Sequence, residues 1–232
     1  MKTIAIIVAG GSGTRFGAGM PKQFLDLCGI PILMRTIKTF INALSENRNG
    51  TFEVIVTLPA SQMDLWRDLC GRHGFIMPHR VVPGGQTRWH SVKNALDSIG
   101  DPDDVDVIAV HDGVRPMATV ELIRRTLDTA RRCGSAIPVV MLNDSVRQVD
   151  ASGSSHALDR SSLRAVQTPQ AFDARALISA YRQPYDPTFT DDASVLERTG
   201  HQVTLVEGDP MNLKITRPVD LALAQYLLNQ DA

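Results

Sequence analysis

Two basic residues follow a glycine-rich stretch near the start of the chain. Gly10, Gly11 and Gly13 come after a short apolar run, and Arg15 and Lys22 come after the glycines. Glycines leave backbone N–H groups open to a phosphate and let the chain approach it closely. The spacing matches neither the P-loop nor the dinucleotide-binding fingerprint. Its position directly after a buried strand favours a phosphate-binding loop with two fixed cations over a flexible turn with surface charges.

A second pair of glycines lies in the segment that ends at Ser91. Gly84 and Gly85 follow another apolar run, and Arg88 precedes Ser91 by three positions. The glycines expose backbone, and the serine hydroxyl is placed to reach a phosphate or a base. Taken alone, such a segment is more often a helix-capping turn than a binding site, so both interpretations stay open.

Charged residues follow two further apolar runs. Asp112 and Arg115 come after the run that ends at Val110, and Lys214 follows the last run. A carboxylate at a strand end suits a ribose hydroxyl or a divalent metal, and an arginine there suits an anionic substrate. His111 stands alone, which is typical of a structural histidine, so we assign it no catalytic role.

Strands and helices alternate along the chain. Unbroken apolar runs predict strands buried on both faces, and apolar spacings of three and four predict helices between them. The predicted strands cover residues 4–8, 52–58, 80–82, 105–110, 136–141 and 203–206, and the predicted helices cover 32–44, 61–70, 91–99, 119–130, 172–181, 191–198 and 218–228. This order predicts an α/β fold, a single Rossmann-like domain over residues 1–232 with a mostly parallel central sheet flanked by helices.

Residues 143–167 interrupt the alternation. The segment is polar, rich in Ser, Asp and Arg, and has no helical period. Its composition alone favours an irregular surface loop over a regular element.

The overall charge limits the partners to consider. Among 232 residues, 24 Lys and Arg stand against 25 Asp and Glu, which gives a net charge of −1. Nucleic acid is therefore not an expected partner, because binding along a phosphate backbone needs an excess of basic residues. The near-zero net charge also suggests that no charged ligand binds. Net charge describes the whole surface, however, and does not describe the charge of a single pocket.

The cysteines and the apolar runs indicate a compartment. Cys28, Cys70 and Cys133 form no CxxC pair and predict free thiols in a reducing environment. The first apolar run is too short for a signal peptide, and no run approaches the roughly 20 apolar residues of a membrane span. We therefore expect a cytoplasmic protein with no membrane partner.

Together these segments resemble the nucleotidyltransferases that join a nucleotide to a sugar or polyol phosphate. Within that superfamily the chain is similar to the 2-C-methyl-D-erythritol 4-phosphate cytidylyltransferases from residue 3 to about residue 228. The motifs that carry the resemblance are Gly10-Gly11-Ser12-Gly13-Thr14-Arg15, Pro21-Lys22-Gln23, Gly84-Gly85 with Arg88 and Ser91, His111-Asp112 with Arg115-Pro116, Thr168-Pro169-Gln170 and Asn212-Leu213-Lys214.

The ribitol 5-phosphate cytidylyltransferases are the nearest alternative. They share the first loop, the Asp-x-x-Arg-Pro segment and the Thr-Pro-Gln motif. Asp159-Arg160 and residues 190–194, Thr-Asp-Asp-Ala-Ser, resemble the methylerythritol family more closely.

The resemblance implies a reaction and a set of residues. CMP would pass from CTP to 2-C-methyl-D-erythritol 4-phosphate, with Mg²⁺ on the triphosphate. The implied catalytic residues are Arg15, Lys22, Arg160 and Lys214. The nucleotide would contact Ala9, Gly10, Gly11, Gly13, Gly85, Gln86, Ser91, Asp112 and Gly113, with the metal near Asp112. The polyol phosphate would contact Asp112, Arg115, Ser145, Arg160, Thr190 and Lys214.

The resemblance also gives residues 143–167 a role. They match an extended dimerisation arm that the family exchanges in a homodimer, and the arm would carry Ser145 and Arg160 to a site in the second subunit. Three departures from the family pattern stand out: Ser145 for threonine, Gln86 for a frequent acid, and Gly113-Val114 for Ala-Ala, which we expect to loosen that turn.

A catalytically silent nucleotide-binding module is an alternative of a different class. Such a module would be expected to lose at least one of the three cations Arg15, Lys22 and Lys214. All three are present in the sequence, which favours an active transferase.

Overall fold

The computed structural model describes residues 2–11, 20–45 and 50–230. Two predicted site residues, Gly13 and Arg15, lie outside these ranges. The helices are α1 (Ile32–Ser45), α2 (Met63–Arg72), α3 (Arg88–Asp97), α4 (Val120–Cys133), α5 (Ala174–Ala180), α6 (Asp192–Glu197) and α7 (Pro218–Gln230). Within the described ranges, no helix has both the length and the apolar character needed to cross a bilayer.

The strands form one large sheet and two small ones. They are β1 (Lys2–Val8), β2 (Asp26–Leu27), β3 (Ile30–Pro31), β4 (Thr51–Leu58), β5 (Arg80–Pro83), β6 (Val105–Asp112), β7 (Ser135–Met141), β8 (Val146–Val149), β9 (Ser155–Leu158), β10 (Arg164–Val166), β11 (Gln170–Asp173) and β12 (Leu205–Glu207). The large sheet has the order β10-β7-β11-β6-β1-β4-β5, with β12 beside β7. Only β10 and β11 are antiparallel to their neighbours in it, so the predicted mostly parallel α/β sheet is confirmed.

The register of the parallel strands brings their carboxyl ends to one edge. Val8 of β1 lies opposite Thr57 of β4 and Asp112 of β6. β5 ends beside β4, with Pro83 opposite Leu58. Strand β1 lies between β4 and β6, so the order of the strands reverses direction at β1. In open α/β sheets, ligands bind beside the carboxyl end of the strand where this reversal occurs. The loop that follows β1 is at that position.

Both faces of the sheet are buried, as the unbroken apolar runs predict. In β1, Ile4 and Ile6 pack into one cluster with α3, α5 and α6. The alternate residues Ala5 and Ile7 pack into a second cluster with α1, α2 and α4. The alternation of side chains along a strand therefore divides an apolar run between two cores and fixes the three-layer arrangement.

Residues 143–167 are more regular than predicted. β8 and β9 form an antiparallel hairpin that pairs Val146 with Leu158, and β10 joins the large sheet beside β7. The prediction of an irregular segment is wrong in this respect. The hairpin strands are largely exposed in this chain, so their sequence lacks the apolar face that usually marks a strand.

Other element boundaries also differ from the prediction. The first two residues of the predicted helix 172–181 belong to β11, and α5 begins after Asp173, whose side chain accepts a hydrogen bond from the Ala176 N–H. Helix α3 begins at Arg88, capped by Thr87, and not at Ser91. A four-residue strand is too short for periodicity to separate it from the adjoining helix.

We predict that Ile6→Ala lowers the free energy of unfolding by about 2–5 kcal/mol, because its side chain is fully buried and its truncation leaves a cavity. Chemical denaturation measures the change. Ile76→Ala is the matched control, because Ile76 is 92% exposed and its truncation should cost less than about 0.5 kcal/mol. Equal losses for the two variants would contradict the assignment of β1 to the core.

Candidate active site

A cleft of about 250 Å³ opens at the carboxyl edge of the sheet. The predicted site residues that line it are Ala9, Gly10, Gly11, Lys22, Gly85, Gln86, Ser91, Asp112 and Lys214. Gln23, Thr87 and Arg88 line the same cleft. The structure thus brings together loops that are far apart in the sequence.

Gln23 fixes the backbone where the first loop leaves β1. Its side chain is fully buried, and its Nε2 donates hydrogen bonds to the Ala9 carbonyl at 2.9 Å and to Gln62 Oε1 at 2.7 Å. A Cβ added to Gly11 would lie 3.3 Å from Cε of Lys22. The Lys22 side chain therefore lies directly against the glycine-rich loop.

Ser91 shapes the second glycine turn. Its hydroxyl donates to the Thr87 carbonyl at 3.0 Å and accepts from the Gly85 N–H at 3.1 Å. A Cβ on Gly85 would lie 2.3 Å from Cβ of His90, so the close approach requires glycine. The turn presents backbone to the cleft, and the predicted Ser91 hydroxyl already has two protein partners.

Asp112 lies at the centre of a cluster of cations. One carboxylate oxygen, Oδ2, is 2.7 Å from Lys214 Nζ and 3.7 Å from Arg115 Nε, and Oδ1 is 3.3 Å from Arg88 Nε. Burial raises the pKa of Asp112, but the three cations, led by Arg88, outweigh it and hold the pKa well below its ordinary range. The carboxylate therefore stays ionised.

Hydrogen bonds tie the segment that carries Lys214 to the end of β6. Arg115 Nη1 donates to the Asn212 carbonyl at 2.7 Å, and the Ile215 N–H donates to the Val114 carbonyl at 2.9 Å. Ile215 is fully buried between these contacts. Lys214 is thus held beside Asp112 by its own backbone.

His111 is a positioning residue beneath the cleft. The Asp112 N–H donates to Thr168 Oγ1 at 3.0 Å, and that hydroxyl lies 3.0 Å from His111 Nδ1. His111 Nε2 lies 3.1 Å from the Arg115 carbonyl. One assignment satisfies all three contacts: Nε2 carries the proton and donates to the carbonyl, and Nδ1 accepts from the threonine hydroxyl. The neutral imidazole therefore links the backbone of Asp112 to that of Arg115.

Three predicted substrate residues are not among the residues that line this cleft. Ser145 and Arg160 are exposed on the segment 143–167, where the Arg160 guanidinium donates to the Asn143 carbonyl. Thr190 is exposed directly before Asp191, the N-terminal cap of α6.

Gly113 does not loosen its turn as the sequence suggests. Its N–H donates to the Val8 carbonyl at 2.8 Å, and its carbonyl accepts from the Thr36 hydroxyl at 3.1 Å. A Cβ there would lie 3.0 Å from Cβ of Ala9 and 3.1 Å from Cδ1 of Leu33. The turn is tightly packed, and glycine lets β1, β6 and α1 approach one another.

Sequence reasoning missed several residues that organise the site. Arg88 and Thr168 stand in motifs that carry the family resemblance, but the sequence indicates no role for either. The buried Asp192 lies beside the predicted Thr190, and no local pattern indicated its ion pair with Arg88. Among the described residues, no group of three or more His, Cys, Asp and Glu side chains is arranged to hold a metal ion.

We predict that protonation of His111 destabilises the protein in acid. Burial lowers the pKa of His111 to about 4, below the unfolded value of about 6.5. The free energy of unfolding is then highest above pH 6.5 and falls by about 3 kcal/mol as the pH decreases toward 4. Denaturation from pH 8 to pH 4 measures this loss.

His111→Gln should flatten that part of the pH dependence. His73→Gln is the control, because His73 is exposed, and it should keep the wild-type dependence. The same pH dependence in all three proteins would contradict the role of His111.

Comparisons with known proteins identify the family. The sequence model of the 2-C-methyl-D-erythritol 4-phosphate cytidylyltransferases matches residues 3–230. Proteins of that name from Bacteroides fragilis and Bacteroides thetaiotaomicron are 45% and 43% identical, over 97% and 98% of this chain and 98% and 100% of theirs. The crystal structure of the enzyme of that name from Thermus thermophilus matches with a TM-score of 0.77 and 30% identity, over 99% of this chain and 100% of that one. The chain belongs to the 2-C-methyl-D-erythritol 4-phosphate cytidylyltransferase family.

Proposed function

We propose that the cleft carries out the reaction of this family. The chain is a cytidylyltransferase that uses CTP and 2-C-methyl-D-erythritol 4-phosphate to form 4-diphosphocytidyl-2-C-methyl-D-erythritol and pyrophosphate. A phosphate oxygen of the polyol phosphate attacks the α-phosphorus of CTP and forms a new P–O–P linkage. The bond from that phosphorus to the β-bridging oxygen breaks, and pyrophosphate leaves with the electron pair. The convergence of Lys22 and Lys214 on one glycine-lined cleft is the observation that carries this proposal.

Electrostatics is the main barrier to this reaction, because two anions must meet and negative charge builds up at phosphorus. Fixed cations lower such a barrier without a covalent intermediate. Lys22, which lies against the glycine-rich loop, stabilises the transition state, and the family resemblance assigns Arg15 the same task. Lys214 and Arg115, both beside Asp112, receive the phosphate of the polyol.

The nucleotide binds along the two glycine turns. The cytosine contacts the backbone of Ala9, Gly10, Gly85 and Gln86, and a narrow pocket with backbone walls excludes purines by size. Ser91 supports this pocket through the Gly85 N–H. Asp112 and Gly113 lie at the ribose, where the ionised carboxylate accepts hydrogen bonds from hydroxyl groups.

Mg²⁺ fits this site as an ion that arrives with the triphosphate. Magnesium keeps several water ligands and takes one or two carboxylates together with substrate phosphates. The cleft offers one carboxylate, that of Asp112, and both of its oxygens face cations. Asp112 and the triphosphate oxygens would hold the ion, which neutralises phosphate charge when bound.

Residues 143–167 complete the site of a second subunit. Ser145 and Arg160 are exposed on this arm, whose β8–β9 hairpin forms its own small sheet. Exposed apolar side chains lie on the arm and next to it: Val149 and Val166 belong to the arm, and Met141 comes just before it. Such surfaces favour burial against a partner. A homodimer that exchanges the arms brings Arg160 to the polyol phosphate and covers this apolar surface.

A reducing compartment suits the thiols of the protein. Cys28, Cys70 and Cys133 are all free. We place the protein in the cytoplasm on this ground, since disulfides are rare there.

Substrate choice is tested by pyrophosphate release from CTP and Mg²⁺ with each polyol phosphate offered separately. We expect turnover of 2-C-methyl-D-erythritol 4-phosphate and at least about a tenfold lower kcat/KM for ribitol 5-phosphate, because polar groups that fit one polyol are left unpaired by the other. Turnover of ribitol 5-phosphate alone would reverse the assignment. CTP binding without either reaction would make the chain a silent nucleotide-binding module.

Arm exchange is tested by mixing two inactive variants. Lys22→Ala should lose about a hundredfold in kcat through lost transition-state stabilisation, and Arg160→Ala should lose phosphate binding. In an exchanged dimer, one mixed site has both Lys22 and the partner-supplied arginine, so random assortment should restore about a quarter of wild-type activity.

A mixture of Lys22→Ala and Lys214→Ala is the matched control. Both side chains belong to the same subunit's cleft, so every mixed site lacks one of them and activity should stay low. Failure of the first mixture to recover, together with a fully active monomer in sedimentation, would show that the arm is not exchanged.

A further inference from the structure

Arg88 bridges two carboxylates from different parts of the chain. Its Nη2 lies 2.7 Å from Asp192 Oδ2, and its Nε lies 3.3 Å from Asp112 Oδ1. Arg88 is the first residue of α3. A cation is disfavoured at that position, because the helix N-terminus carries partial positive charge. The two carboxylates offset this cost, and they raise the pKa of Arg88 above its ordinary value despite burial.

The Asp192 end of the bridge is rigid. Asp192 is fully buried, its Oδ1 accepts the Tyr181 hydroxyl at 2.7 Å, and its N–H donates to Gln170 Oε1 at 3.1 Å. A carboxylate so far from water is stable only when it is paired and hydrogen-bonded. Arg88 is therefore held by groups that no substrate reaches.

The Asp112 end of the bridge faces the substrates. Arg88 holds Oδ1, and Lys214 and Arg115 contact Oδ2. The Lys214 side chain is 44% exposed, whereas that of Arg88 is 26% exposed and committed to Asp192. A Lys214 ammonium drawn to a phosphate would leave Oδ2, and Arg88 would still hold Oδ1. The bridge also joins the nucleotide turn before α3 to the segment of Thr190 before α6.

We propose that Arg88, fixed by Asp192 and Tyr181, is a positioning residue that orients Asp112 and aligns the Thr190 segment for the polyol phosphate. The inference rests on the proposed function of the cleft. Arginine is needed at this position because its planar fork spans both carboxylates, and a lysine ammonium cannot occupy both positions.

A paired substitution separates positioning from stability. Arg88→Met alone leaves Asp192 buried without its cation, so we expect this variant to be strongly destabilised. Arg88→Met with Asp192→Asn removes both charges and should restore the melting temperature to near the wild-type value, since neutral replacement of a buried ion pair is often tolerated. We expect the KM for the polyol phosphate to rise at least about tenfold, as for other residues that orient a binding group. The KM for CTP should rise by a smaller factor, because the base keeps its contacts with the backbone of Gly85 and Gln86 while only the ribose side of the nucleotide loses an ordered Asp112.

Tyr181→Phe provides a second, milder test. It removes the hydroxyl that holds Asp192 but keeps the ring that stacks on Trp89 at 5.4 Å. We expect a smaller rise, about threefold, in the same KM. Tyr185→Phe is the matched control, because its ring contacts the same tryptophan at 5.7 Å and lies outside the bridge. Its kinetics should equal those of the wild type.

The outcomes are distinct. Near-wild-type KM values in the stable double variant would overturn the proposal and leave Arg88 as a partner for Asp192 only. If the double variant does not fold, equal KM values for Tyr181→Phe and Tyr185→Phe would overturn it. A wild-type protein without turnover would refute the proposed function instead. In that case the same variants are compared by their calorimetric Kd for the polyol phosphate, measured in the presence of a non-reactive CTP analogue.

Discussion

The site depends on one buried carboxylate that must remain charged. Asp112 is almost entirely shielded from water, and an ionised group in that position requires cations close to it. Those cations come from the start of α3, from the turn after β6 and from the segment before α7. Satisfying a single side chain therefore gathers three connections at the cleft. The same cations suit anionic substrates. The charges that stabilise Asp112 in the free protein are therefore also the charges available to bind substrate.

The sheet allows these cations to surround Asp112 without placing any charge in the apolar core. The register between β1 and β6 places Asp112 beside the end of β1, where apolar layers give way to loops. The hydrogen-bond chain through Thr168 and His111 then fixes the backbone of the residues that carry charge. A net charge of −1 is compatible with a cation-rich cleft, because acidic residues elsewhere balance the sum. The whole-chain charge excludes an extended polyanion surface but says nothing about one pocket.

Sequence patterns predicted the features that depend on local order. The unbroken apolar run of β1 indicated a strand with two buried faces, and the glycine turn at Gly85 indicated exposed backbone beside a helix. Features that depend on contacts between distant segments were not predictable. Arg88 and Asp192 are separated by 104 positions, and no sequence pattern around either residue indicates that the two form an ion pair. The β8–β9 hairpin of the arm was not predictable for a related reason. Its strands have little apolar surface to bury within their own chain, so the sequence shows no apolar alternation there.

The second glycine turn has a consequence for chemical inhibition. A side chain at Gly85 would collide with Cβ of His90 at 2.3 Å, so the wall of the cleft there cannot be altered by an ordinary substitution without moving α3. A compound seated against this backbone would face a surface that mutation cannot readily reshape. Drug resistance at this wall would have to arise from a shift of the main chain, which would also disturb the helix cap and the proposed nucleotide pocket.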